Sequence, residues 1–239
     1  MGHRHHTIWI GLAVALVGLF LSGCKPAQME AGQALQEQAE NMPVQGRGAF
    51  DQDFRFGPYN VTGIHRDWTE RTAWGVFGYR DAQARQRFEF RLSGGSDRVC
   101  HCATGLDEQT VRGMVGERSA VKMQLASDTT FVATFTGPQS RTWRMILTRA
   151  TGEPVMKGFL SDDQTTLRVE GTNQLADTSL PLGTASGYFF ERDDTLLGAV
   201  DVLNDGQVFL MPSESAETRE ILACAASALL LFQDLSEFK

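Results

Sequence analysis

The chain has 239 residues, with 22 Lys and Arg against 29 Asp and Glu, for a net charge of −7 at pH 7. An acidic balance without any Lys/Arg run argues against nucleic acid as a partner and against electrostatic adhesion to anionic lipid. Nothing in the composition or in the motifs calls for a cofactor.

Arg4, with His3, His5 and His6, makes a short basic start, and Ile8 to Leu21 is an uncharged apolar run. That run is shorter than the ~20 residues that span a bilayer comfortably, but it has the length of a signal-peptide core. Leu21-Ser22-Gly23-Cys24 follows directly. This stretch resembles the lipobox of bacterial lipoproteins, where the signal peptide is cut just before a cysteine that carries a diacylglyceryl group. The resemblance implies that residues 1–23 are a signal peptide and that Cys24 is lipidated. It implies three acyl chains, which attach stably where one would hold only marginally. The partner it implies is membrane lipid through Cys24, with other envelope proteins beyond that. Asp just after the cysteine favours inner-membrane retention in Gram-negative lipoproteins; Lys25 stands there instead, which points to the periplasmic face of the outer membrane. Loss of Arg4 with the signal peptide moves the net charge to −8. An uncleaved N-terminal anchor is the other reading of the same segment.

Residues 24–49 read as the lipidated cysteine and a flexible tether. Ala27–Glu40 is rich in Ala, Gln and Glu, with Met29 and Leu35 among few apolar residues, so a helix there is marginal on its own. Residues 50–239 are long enough for one well-buried domain.

From Phe54 onward the pattern becomes short alternating segments punctuated by turn residues. Strands are predicted over Phe56–Ile64, Ala73–Tyr79, Arg87–Leu92 and Arg98–Ala103, with Ser93-Gly94-Gly95-Ser96-Asp97 as a turn. A short amphipathic helix is predicted around Asp107–Val115. Alternation resumes at Val121/Met123/Leu125, Phe131/Ala133/Phe135 and Trp143/Met145/Leu147, then through Val155–Leu160 and Leu167/Val169. The last strands are Tyr188–Glu191, Leu196–Leu203 and Val208–Met211, joined by Asp193-Asp194 and Asn204-Asp205-Gly206. Period-two alternation with such punctuation marks antiparallel hairpins, about twelve strands in all. Asn-Asp-Gly tolerates the positive φ of a tight hairpin.

The final element differs. Pro212-Ser213, with Glu214 and Glu217, reads as a capped helix start, and Ile221 to Phe232 is apolar at every position but Ser227. A helix with no polar face must be enclosed, and this one is too short to cross a bilayer, which points to the protein's own core; docking into a partner or a membrane is the competing reading. The predicted fold is therefore mainly β, an antiparallel meander forming a barrel or strongly curved sheet around a hydrophobic helix at about 214–233. The strand pair Leu196–Val202 and Val208–Met211 leading into Ile221–Phe232 resembles the tubby C-terminal and phospholipid-scramblase family, where about twelve strands close around such a helix. The basic headgroup cluster of tubby proteins is absent from this acidic sequence, so no functional residue is carried across.

Chemistry-bearing motifs are few. Beyond Cys24 stand Cys100, Cys102 and Cys224, an odd number that permits one disulfide after export. Cys100 and Cys102 share one face of a strand, so either can meet Cys224 on the helix; a tight direct Cys100–Cys102 loop and all three reduced are the alternatives. His101 points the opposite way, which keeps Cys100-His101-Cys102 from converging on a metal ion. Asp162-Asp163 and Asp193-Asp194 fall at hairpin turns, where solvated acids are ordinary. Arg66, Trp68, Trp74 and Tyr79 form an aromatic-rich stretch, the candidate ligand surface. His-Glu-x-x-His, P-loop and Gly-x-Ser-x-Gly motifs are absent. These features favour a membrane-anchored envelope lipoprotein acting as a non-catalytic binding or assembly module. The alternatives are a lipid or small-ligand carrier and an enzyme of unrecognised type.

Overall fold

The structure, a computed structural model, describes residues 26–48, 53–76, 79–104, 127–137, 141–150, 152–162 and 164–232. Among these residues, a short helix α1 (Gly32–Gln38) precedes β1 (Glu40–Pro43), β2 (Phe54–Phe56), β3 (Tyr59–Val76), β4 (Tyr79–Ser93) and β5 (Arg98–Thr104). Then come β6 (Ser127–Thr136), β7 (Thr142–Ala150), β8 (Lys157–Ser161), β9 (Thr166–Thr172), β10 (Gly187–Arg192), β11 (Thr195–Asp201), β12 (Gln207–Leu210) and helix α2 (Ala216–Leu231). From β2 to β12 each strand pairs with the next, and β1 pairs antiparallel with β12, Glu40 opposite Leu210. Just past β1, Gln45 and Arg55 exchange backbone N–H···O bonds of 2.9 and 3.0 Å, which carries the wall round to β2 and nearly closes it. The expected fold, a mainly β meander of about twelve strands around a C-terminal hydrophobic helix, is the one observed.

Alternation explains the wall. Phe88, Phe90 and Leu92 are buried while Arg87, Glu89 and Arg91 are exposed, and Phe131/Ala133/Phe135 and Trp143/Met145/Leu147 repeat the buried face. These inward side chains share one core with α2, in which every residue from Glu220 to Leu231 is buried. Ala223, Cys224, Ala225, Ala226, Ser227 and Ala228 keep the helix slim where the wall surrounds it. Ser227, the one hydroxyl among them, donates to the Ala223 carbonyl at 2.8 Å, so its burial leaves no unmade bond.

The turns follow their residues. Asp193 (φ 49) and Asp194 (φ 61) join β10 to β11, and Asn204 (φ 51) with Gly206 (φ 94) joins β11 to β12, as the primed turns of tight hairpins require. Two boundaries differ from expectation. Phe56–Ile64 is not one strand: Gly57 (φ 51) and Pro58 fold it into the β2–β3 hairpin, with Phe56 opposite Tyr59. The helix cap is Ser215, not Ser213; its hydroxyl accepts the Thr218 N–H at 3.1 Å, and Glu217 lies in the first turn. The predicted helix at Asp107–Val115 and the strand at Val121–Leu125 lie outside the described residues.

The tether expectation is corrected over residues 26–48. Met29, Ala31 and Leu35 are buried against the outer face of β11 and β12, where Ala199, Phe209 and Met211 complete a second, smaller core. β1 then joins the wall, with Met42 and Val44 facing the main core. The segment has too few apolar residues to fold by itself, but Met29, Ala31 and Leu35 meet an apolar outer wall that the strand assignment left unassigned.

Candidate functional site

Strand direction divides the barrel into two ends. α2 enters beside the β4–β5 turn and finishes beside the β11–β12 turn, because β12 delivers the chain to the first end and the helix returns it.

At the entry end, β4 and β5 bring Ser96 and Arg98 to Glu220 of α2. Ser96 Oγ donates to Glu220 Oε1 and Oε2 at 2.8 and 2.7 Å, and Arg98 Nη2 donates to Oε2 at 3.2 Å. The two charged side chains are only 7% and 8% exposed. Gly137 makes room for the guanidinium, since a Cβ there would press on it. Arg141, stacked over Trp143 at 5.7 Å, adds an exposed rim pair to Glu217 at 3.0 Å and another to Asp162. The buried pair and hydroxyl are matched to one another, so they hold the helix in register rather than await a ligand.

Midway, Cys100 and Cys102 point inward from β5 and meet Cys224 on α2; all three are buried free thiols. Cys224 lies near both Cys100 and Cys102. Burial pushes the Cys100 and Cys102 thiols well above the usual range, and the neighbouring Cys224 adds to the effect. Thiols held in that state are poor nucleophiles. His101 faces outward and pairs with Glu89 at 3.3 Å, so the Cys-His-Cys run is split across the wall. Among the described residues, no three His, Cys, Asp or Glu converge to hold a metal ion. In the Cys24→Ala protein kept reduced, Ellman's reagent is expected to find almost no thiol under native conditions and all three after unfolding. Rapid native labelling of Cys224 would show that the helix does not stay inside the wall.

At the exit end, Arg66 Nη2 donates to the Leu231 carbonyl at 2.9 Å, and its guanidinium lies 5.2 Å from the Phe88 ring centroid. The side chain thus caps the negative end of α2. Of the candidate ligand surface, only Arg66 is placed, and it faces the helix end. Trp68 and Trp74 fall on the β3 backbone and Tyr79 on that of β4, while their side chains lie outside the described residues.

Sequence reasoning missed the clasp at this same end. Asp201 is 4% exposed and accepts the Met29 and Leu203 N–H groups, both at 2.8 Å. Burial pushes its carboxyl up despite those bonds and nearby Arg47. Asn204 Nδ2 donates to the Ala27 carbonyl at 2.6 Å, and Arg47 Nη1 donates to the Val202 and Asn204 carbonyls, each at 3.1 Å. Backbone bonds run from Glu30 N to Gln174 O at 3.2 Å and from Ala176 N to Gln28 O at 2.9 Å. Gly187 admits the Met29 side chain, for a Cβ there would collide with Met29 Sδ and the Val200 carbonyl. Cys24 itself lies outside the described residues. No protein-family model, no curated protein and no solved structure matches this chain.

Proposed function

We propose that the protein is a bacterial envelope lipoprotein, acylated at Cys24 and held at the periplasmic face of the outer membrane as a non-catalytic binding or assembly module. The single observation that carries this reading is Leu21-Ser22-Gly23-Cys24 placed directly behind the apolar run Ile8–Phe20. Two features of the folded chain support the non-catalytic part. The inward side chains and α2 share one core where a carrier would keep its ligand. The buried ion pair Arg98–Glu220 is matched within itself rather than poised around a cleft. The likeness to the tubby and scramblase architecture belongs to the same proposal and assigns no residue a role.

The test is metabolic labelling with palmitate in a bacterial host, using the native signal sequence. Label and membrane fractionation are expected for the wild type, with both lost in the Cys24→Ala variant. A mature chain of intact mass still bearing Met1, or one without label, would overturn the reading. Cross-linking in native membranes then addresses the module's partner: a protein captured with the wild type and absent with Cys24→Ala supports an assembly role.

A further inference from the structure

Granting acylation at Cys24, we infer that the barrel rests end-on against the lipid surface, with the α2 exit end and the Leu180 loop turned toward the bilayer. The inference rests on the proposed lipoprotein reading and goes beyond it by fixing how the folded part meets the membrane.

Its basis is the short length of chain between Cys24 and the barrel. Among the described residues, the first fastened to the barrel is Ala27, through Asn204, and Gln28, Met29 and Glu30 are each bonded in turn. Two residues, Lys25 and Pro26, lie between Cys24 and Ala27, and three Cα-to-Cα steps of extended chain reach about 10 Å at most. The headgroup zone on each side of a bilayer is itself about 5–7 Å thick. A lipidated Cys24 therefore brings the fastening point to the headgroups, with no slack for the barrel to stand clear.

The fastening point also selects which end faces down. Ala27 is held by the β11–β12 turn, the turn beside which α2 ends, since Gly206 lies against Leu230. The connection between β9 and β10 is at the same end and is stitched to the strap, Leu175 forming a bridge with Met29 and Ala176 N bonding Gln28 O. That connection carries Leu180, which is 73% exposed. Among the described residues, the other large hydrophobic side chain left exposed is Val99, at the start of β5 near the opposite end. An apolar side chain beside a lipid anchor gains by entering the acyl boundary, and one in open water does not.

The occupant of this end is a lipid bilayer and not a protein, because the anchor itself delivers the surface there. The experiment uses the full chain, acylated in its host, purified in detergent and reconstituted into phosphatidylcholine vesicles with brominated acyl chains. An environment-sensitive fluorophore is attached to Leu180→Cys in one preparation and to Asp97→Cys, in the opposite β4–β5 turn, in another. The buried Cys100, Cys102 and Cys224 stay unlabelled in folded protein. The label at 180 is expected to be quenched by bromine several-fold more than the label at 97. Equal quenching in protein that floats with the vesicles would overturn the orientation and leave the lipoprotein reading intact. Protein that carries no acyl group and does not float would overturn both.

Discussion

Glu220→Ala is expected to lower the unfolding free energy by about 3–5 kcal/mol, because it leaves the Arg98 guanidinium buried without its counter-charge. The pair is 7% and 8% exposed, and Ser96 Oγ bonds both Glu220 oxygens, so water cannot replace what the carboxylate supplies. The Ala variant also removes the one charged tie between the first turns of α2 and the wall at β5. Urea unfolding followed by tryptophan fluorescence measures the loss. The double variant Arg98→Met, Glu220→Leu is expected to recover most of it, since replacing both partners with apolar groups removes the uncompensated charge along with the pair. A single-variant loss below about 1 kcal/mol would mean that the pair is solvated, as surface pairs are.

Phe131→Ala is expected to cost about 3–5 kcal/mol, the range for deleting a fully buried ring. Phe131 is 0% exposed and stands where the wall meets the end of α2, its ring centroid 5.0 Å from Phe232 and 6.2 Å from Phe88. Phe88 in turn lies under the Arg66 guanidinium that caps Leu231. The cavity therefore loosens the cap as well as the core, and amide exchange should accelerate in the last turn of α2 before it does at Ile221. Val99→Ala, which removes an exposed side chain from β5, is expected to stay within about 0.5 kcal/mol of the parent protein. Comparable losses at both positions would show that the inner face of the wall is no better packed than its surface.

The sequence shows the wall because alternation is a local property: Phe88, Phe90 and Leu92 announce their face without reference to any other strand. The enclosure of α2 is legible for the same reason, since a segment apolar on every side admits few environments in water. The strap was not legible in this way. Met29 and Leu35 are too sparse to predict a packed segment, and the partner they need lies far along the chain at Ala199, Phe209 and Met211. A signal did exist on the partner's side. Leu196 to Val200 and Val208 to Met211 are continuous apolar runs, not alternating ones, and continuous runs mark strands covered on both faces. The inner face was accounted for by α2, so the outer face called for a cover. The β2–β3 hairpin was missed because Gly57-Pro58 interrupts apolar residues that alternate on both sides of it. The inward placement of Cys100 and Cys102 follows from strand spacing, whereas the level at which Cys224 meets them required knowing how far α2 advances into the barrel. Arg66 reads as a ligand contact in isolation; only the return of the helix to that end shows what its guanidinium holds.

The pairing of β1 with β12 has a consequence for how the molecule is made. Glu40 finds Leu210 only when the last strand exists, so the wall is sealed by its first strand and its last. Hairpins in between can form as they emerge, but such long-range closure is slow and comes late. A chain emerging N-terminus first therefore keeps this wall open until β12 is available, and the seam then shuts beside the helix that follows.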